Sequence, residues 1–173
     1  SHELVQLRSS IAELRGDLIT AREEEELRDP QEAWQAVGDA SKMGSRLDRF
    51  KRVWVVKIED AAAREEFAAD VTAIKERIQT IAQMSNEEAF ALFRAKFANR
   101  ADKETDEWKR SWLESQVRMI DENDLSTLQS YLDMYRRSDT VMQLKRLADK
   151  YRIDQFDMQR NGLLMNGFAV EWD

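Results

Sequence analysis

Apolar residues recur at alternating three- and four-residue steps along nearly the whole chain, and only five Gly, one Pro and no Cys interrupt them. That spacing returns an apolar side chain to the same face of an α-helix at every turn. The expected fold class is therefore all-α. A length of 173 residues is enough for one real core, and a charged fraction of 35% suits long exposed helices. No apolar run reaches the length of a membrane span, so the chain reads as soluble, with no membrane partner and a cytoplasmic location as the default. It begins Ser1-His2 without Met, which reads as a fragment or a remnant of expression, with any targeting segment lying upstream.

Leu4, Leu7, Ile11, Leu14 and Leu18 step by three, four, three and four and form a short heptad seam. Such a seam either packs inside the chain, which the small number of heptads favours, or pairs with another copy or another protein. The acidic run Glu23 to Glu26 reads as a solvated helix end. Asp29-Pro30-Gln31-Glu32 starts a helix, with Asp29 as cap and Pro30 in the first turn. From Trp34 the apolar row passes through Val37, Ala40, Met43, Leu47, Phe50, Trp54 and Ile58, so one helix is expected to run through Gly38 and Gly44. Phe67, Val71, Ile74, Ile78 and Ile81 continue the pattern.

Ser85 and Glu88 make a capping box before Phe90, Phe93 and Phe97, and a loop is expected from Asn99 to Thr105. Trp108, Trp112, Leu113, Val117 and Ile120 form the next inner face. Asn123 or Asp124 then caps a helix bearing Leu125 to Tyr135, and Ser138 is expected to start another. Trp34, Trp54, Trp108 and Trp112 all fall on apolar rows and are expected in the core. The tail, with Asn161-Gly162, Asn166-Gly167, Phe168, Val170 and Trp172, reads as an apolar strap. The expected architecture is a long helical hairpin or coiled-coil-like three-helix section over 1–83. It packs with a smaller bundle of short helices over 84–173, within one structural domain.

The same composition removes much chemistry. There is no thiol, and the one imidazole is His2, so no Ser or Cys nucleophile has its usual base. Neither HExxH nor inward Glu-x-x-His pairs occur, and no glycine-rich phosphate loop is present. Asp121-Glu122-Asn123-Asp124 opens like a calcium loop, but Ser126 and Leu132 occupy the positions where Gly and Glu are required. No catalytic residue, metal or cofactor is expected.

The expected function is a non-enzymatic helical interaction module, an adaptor or scaffold that binds another protein, with self-association as a homo-oligomer through the 4–18 stripe left open. Leu7, Ile11, Leu14 and Leu18 would supply apolar contact, and Arg8 and Arg15 would select a register. Arg49, Lys51 and Arg52, within a basic cluster from Arg46 to Lys57 read as a solvated face, would attract an acidic surface, with Trp172 as a further anchor. Two alternatives stand beside it. Residues 140–160 faintly resemble a helix-turn-helix, in a stretch locally basic at +3 between 136 and 160, and Lys145, Arg146, Lys150 and Arg152 would then face nucleic acid. Two ordinary capped helices explain the same pattern. The net charge of −7 fits the second alternative, a small inhibitor or immunity-type protein that blocks a basic partner.

Overall fold

Capping side chains punctuate this chain more tightly than its apolar rows suggest. The structure, a computed structural model, describes residues 1–163. The helices are α1 (His2–Leu14), α2 (Ala21–Arg28), α3 (Pro30–Val37), α4 (Ala40–Val55), α5 (Ala61–Gln83), α6 (Asn86–Lys103), α7 (Glu107–Glu122), α8 (Gln129–Tyr151) and α9 (Gln155–Arg160), with a 3₁₀ turn at Leu125–Thr127. No strand occurs among the described residues, and the fold is all-α.

Two antiparallel hairpins, α4–α5 and α6–α7, are joined by α8. On α5, Phe67 meets Tyr151 of α8 edge-on at 5.0 Å and Arg77 meets Asp139 at 2.8 Å, which fixes their antiparallel course. Toward its other end, Tyr135 of α8 sits between Phe93 at 5.7 Å and Phe97 at 4.8 Å, and Phe97 also meets Trp112 of α7 at 5.9 Å. Burial pushes the Tyr135 phenol up, and its hydroxyl donates to Gln116 Oε1 at 2.5 Å. α3 lies against α4 and α8, and α2 lies against α3. One apolar cluster runs from Val37 to Leu163, so residues on both sides of position 83 share a core.

Four expected boundaries move. The helix from Trp34 to Ile58 breaks at Gly38. Asp39 caps α4 by accepting from the Lys42 amide at 3.0 Å, while Arg137 of α8 donates to the Trp34 carbonyl at 3.1 Å and so takes up a free acceptor near the end of α3. The expected loop from Asn99 is helical up to Lys103, because Ala101 is buried and the inner face continues past Phe97. Ser138 starts nothing: α8 runs through it for 23 residues, the same length as α5, because Tyr135, Val141, Met142 and Leu144 keep one buried stripe across it. Packing overrides the capping signal there, and the contrast of long helices followed by short ones disappears.

The fourth change is at the N-terminus, where α1 stops at Leu14 instead of carrying the seam to Leu18. Trp34, Trp54 and Trp112 pack on the core as expected, but Trp108 is 80% exposed at the start of α7. Being on an apolar row is not enough there: residues 105–109 are all exposed, and the first buried residue of α7 is Leu113. Phe97→Ala should cost about 3–5 kcal/mol in urea unfolding, the usual range for a buried Phe. Trp108→Ala should stay within about 0.5 kcal/mol of wild type.

Candidate interaction surface

α1 begins with Ser1, whose hydroxyl accepts from the Leu4 amide at 3.3 Å, and carries Leu4, Leu7, Ile11 and Leu14 on one stripe. None of its residues is buried and none belongs to the core cluster. The row is 42 to 88% exposed, with Leu14 the most open, and Val5 flanks it. Packing of this seam within the chain is thus overturned. The reason is local. Gly16 takes φ +70°, a left-handed conformation that favours glycine, and the Asp17 amide donates back to the Ala12 carbonyl at 2.7 Å. The chain turns away, and Leu18 leaves the helical row as an exposed loop residue.

What holds this arm is ionic. Asp17 is 3% exposed and accepts from Arg52 Nε at 2.6 Å, with Arg15 at 3.8 Å on its other oxygen. In α2, Thr20 and Glu23 form a full capping box, and Glu23 also takes a two-pronged contact from Arg49 at 2.6 and 2.9 Å. Glu26 accepts from Arg46 at 2.8 Å and from Lys42 at 2.9 Å. Arg46, 3% exposed, reaches further and donates to the Gly162 carbonyl at 3.2 Å, beyond α9. Glu23 and Glu26 of the acidic run and Arg46 and Arg49 of the basic cluster, expected to be solvated, instead pair with one another, while Glu24 and Glu25 stay exposed as expected. Charge on each helix reads as a wet face when viewed alone, and only the fold sets the two opposite one another.

This pairing also places the expected partner residues. Arg49 is buried against Glu23 and Arg52 is engaged by Asp17, while Lys51 donates to the Thr72 hydroxyl at 3.1 Å. Of the expected site, Leu7, Ile11 and Leu14 remain together on an open surface, and Trp172 lies outside the described residues. Asp17 is an anchor that spacing does not reveal; its one signal in the sequence is the lone Gly16 between Arg15 and Asp17.

The basic stretch near 140–160 has a different layout. α8 is closed by Arg152, the residue after its last turn, which takes φ +54° where Gly is favoured, and the Ile153 amide closes the turn on the Ala148 carbonyl at 2.8 Å. α9 is only six residues long and is capped by Asp154, which accepts from the Phe156 amide. Lys150 is bridged to Glu66 and Asp70, both at 2.8 Å, and those carboxylates hold its pKa above the usual lysine range. Tyr151 donates to the same Asp70 at 2.5 Å, and its phenol is pushed up to about 12 by burial and by that carboxylate. Lys145 is half-buried, and Arg146 and Arg152 are exposed. Arg146 lines a groove of about 440 Å³ with Arg77, Gln143 and Lys150.

Below that groove, Asp139 is buried between Arg77 and Lys96, each at 2.8 Å. Burial pushes the carboxyl up, but the two cations overcome it and hold it below its ordinary value. Burial lowers Lys96, and Asp139 offsets part of that. The arrangement ties α5, α6 and α8 together. A second groove, of about 540 Å³, lies between α2 and α9 and is lined by Ile19, Leu27, Pro30 and Phe156.

Among the described residues no three His, Asp or Glu side chains are grouped to hold a metal ion, and no helix is long and apolar enough to cross a membrane. The chain matches no known protein family, no curated protein and no solved structure.

The ion pairs set a pH dependence. The Arg49 guanidinium holds Glu23 at about 2, against an ordinary 4.5. A carboxylate lowered in this way contributes stability that is complete above its ordinary pKa and is lost as pH falls through the folded value. Glu23→Gln should therefore cost about 1–3 kcal/mol at pH 7. In thermal melts, the gap to wild type should close as pH falls from 4.5 to about 2.

Proposed function

We propose that the protein is a non-enzymatic helical interaction module, an adaptor or scaffold that presents α1 from a folded body. The observation that carries this reading is the exposed row Leu4, Leu7, Ile11 and Leu14 on a helix with no buried residue. An apolar row of this kind on a water-facing helix is an anchor pattern for helix-to-helix docking. The body supports the role because Asp17 and the ion pairs of α2 fix the base of the arm on α4.

The magnitudes say what kind of contact this is. Covering four half-exposed aliphatic side chains offers about 4–6 kcal/mol gross. That is comparable with the rigid-body cost of association, about 4 kcal/mol or more. Contact through α1 alone is thus weak and reversible. Tight binding requires a partner that covers both flanks of the row and answers Arg8 and Arg15.

The direct test is face-specific photo-crosslinking in cells that make the protein. A benzophenone side chain in place of Leu7 or Ile11 should give discrete protein adducts, and one in place of Ser9 or Glu13, on the opposite face, should not. Equal yields from both faces, or none from Leu7 and Ile11, would contradict the reading.

A further inference from the structure

We propose that the surface covering α1 is a second copy of α1, aligned parallel and in register. This rests on the interaction-module reading and names its partner. Leu4 and Ile11 occupy the a positions of the heptad, Leu7 and Leu14 the d positions. Glu3 then falls at g and Arg8 at the following e, with Ser10 at g and Arg15 at e one heptad later. Ile11 at a, between Leu7 and Leu14 at d, is the combination that favours two parallel strands, while Leu4 at the other a position is neutral to that choice.

Charge decides the direction. In a parallel pair each g side chain faces the e side chain of the next heptad on the other helix. Glu3 therefore meets Arg8 of the partner subunit, twice by symmetry, and Ser10 leaves the Arg15 position without repulsion. In an antiparallel pair e faces e, and Arg8 would oppose the partner's Arg8 with no carboxylate between them. Glu3 and Arg8 are both exposed, and neither makes an ion pair with another described residue of its own chain, so each is available across the seam. Access is open at the crowded end too. Leu14, next to the Gly16 turn and the body, is the most exposed residue of the row, so the body does not overhang the place a second helix would take.

A seam of two heptads is short, and helices of this length are marginal alone. The pair is accordingly a reversible dimer that fills at high local concentration, and its specificity lies in the two symmetric Glu3 to Arg8 contacts.

Charge exchange tests it by sedimentation equilibrium. Wild type should show a concentration-dependent dimer. Glu3→Arg and Arg8→Glu should each weaken it roughly tenfold or more, as attraction becomes repulsion at both symmetric contacts. An equimolar mixture of the two variants should restore association to near the wild-type level, because every g–e contact is then between opposite charges. Both changes lie on a helix outside the core, so the cooperative melt of the body should be unchanged; because Glu3 also favours the first turn of α1, recovery in the mixture is what separates lost pairing from lost helix.

Wild-type association by Glu3→Arg, or failure of the mixture to recover, would overturn the parallel register. A monomeric wild type at all concentrations would overturn the self-pair. If Leu7 and Ile11 then crosslinked face-specifically to a different protein, the interaction-module reading would stand without it. Loss of that face specificity would remove both.

Discussion

Arg46 is the contact on which the arrangement of this molecule turns. Its guanidinium, almost wholly out of water, touches Glu23 and Glu26 of α2 and the carbonyl of Gly162. It thus links the base of the N-terminal arm, the middle of α4 and the turn after α9. A buried Arg is tolerated only when its charge is answered; Glu23 and Glu26 answer it here, and the two terminal nitrogens donate to Glu26 and to the Gly162 carbonyl. Gly162 is part of that fit: it takes φ +77°, and a Cβ there would meet the Arg46 side chain at 2.9 Å. The same exchange of charge explains why α2, which buries little besides Glu26, stays on the body at all.

The arm and the body are therefore built on different physics. From Val37 to Leu163 the chain is held by an apolar cluster in which aromatic rings join α4, α5 and α8 at one end and α6, α7 and α8 at the other. Before α3, order comes from caps and ion pairs, and α1, with its regular aliphatic row, lies outside the core. A chain that keeps Leu and Ile on an exposed row forgoes their burial within its own fold. The proposed docking through α1 rests on that exposed row.

Much of this is legible in the residues. Helical spacing identifies the class, and the buried faces of α5 and α6 are the expected ones, with Phe67, Val71, Ile74, Ile78 and Ile81 on one and Phe90, Phe93 and Phe97 on the other. Asp29 and Ser85 cap where a short oxygen-bearing side chain before an apolar row says they should, whereas Asp124 caps only the 3₁₀ turn and α8 starts at Gln129 without a side-chain cap. What is not legible depends on distant partners. Nothing local says that Ser138 lies within a continuous helix, because the reason is packing of its neighbours on α5 and α6. Nor does the α4 sequence reveal that Arg46 and Arg49 are buried, because the groups that answer them stand on α2 or beyond α9. For the site, Leu7, Ile11 and Leu14 are legible as a row; whether the row faces inward or outward is not. Gly16 and Asp17 decide that, by geometry that spacing alone does not carry.

Amide hydrogen exchange across α1, followed as a function of protein concentration, tests the central claim most directly. If α1 stands off the body and is covered only by a partner, its amides exchange quickly in dilute solution, while those of α5 and α8 stay protected, and slow progressively as concentration rises. Protection of α1 as deep as that of α5 at every concentration would mean that its apolar row is packed inside a single chain, and would contradict an N-terminal arm presented for contact.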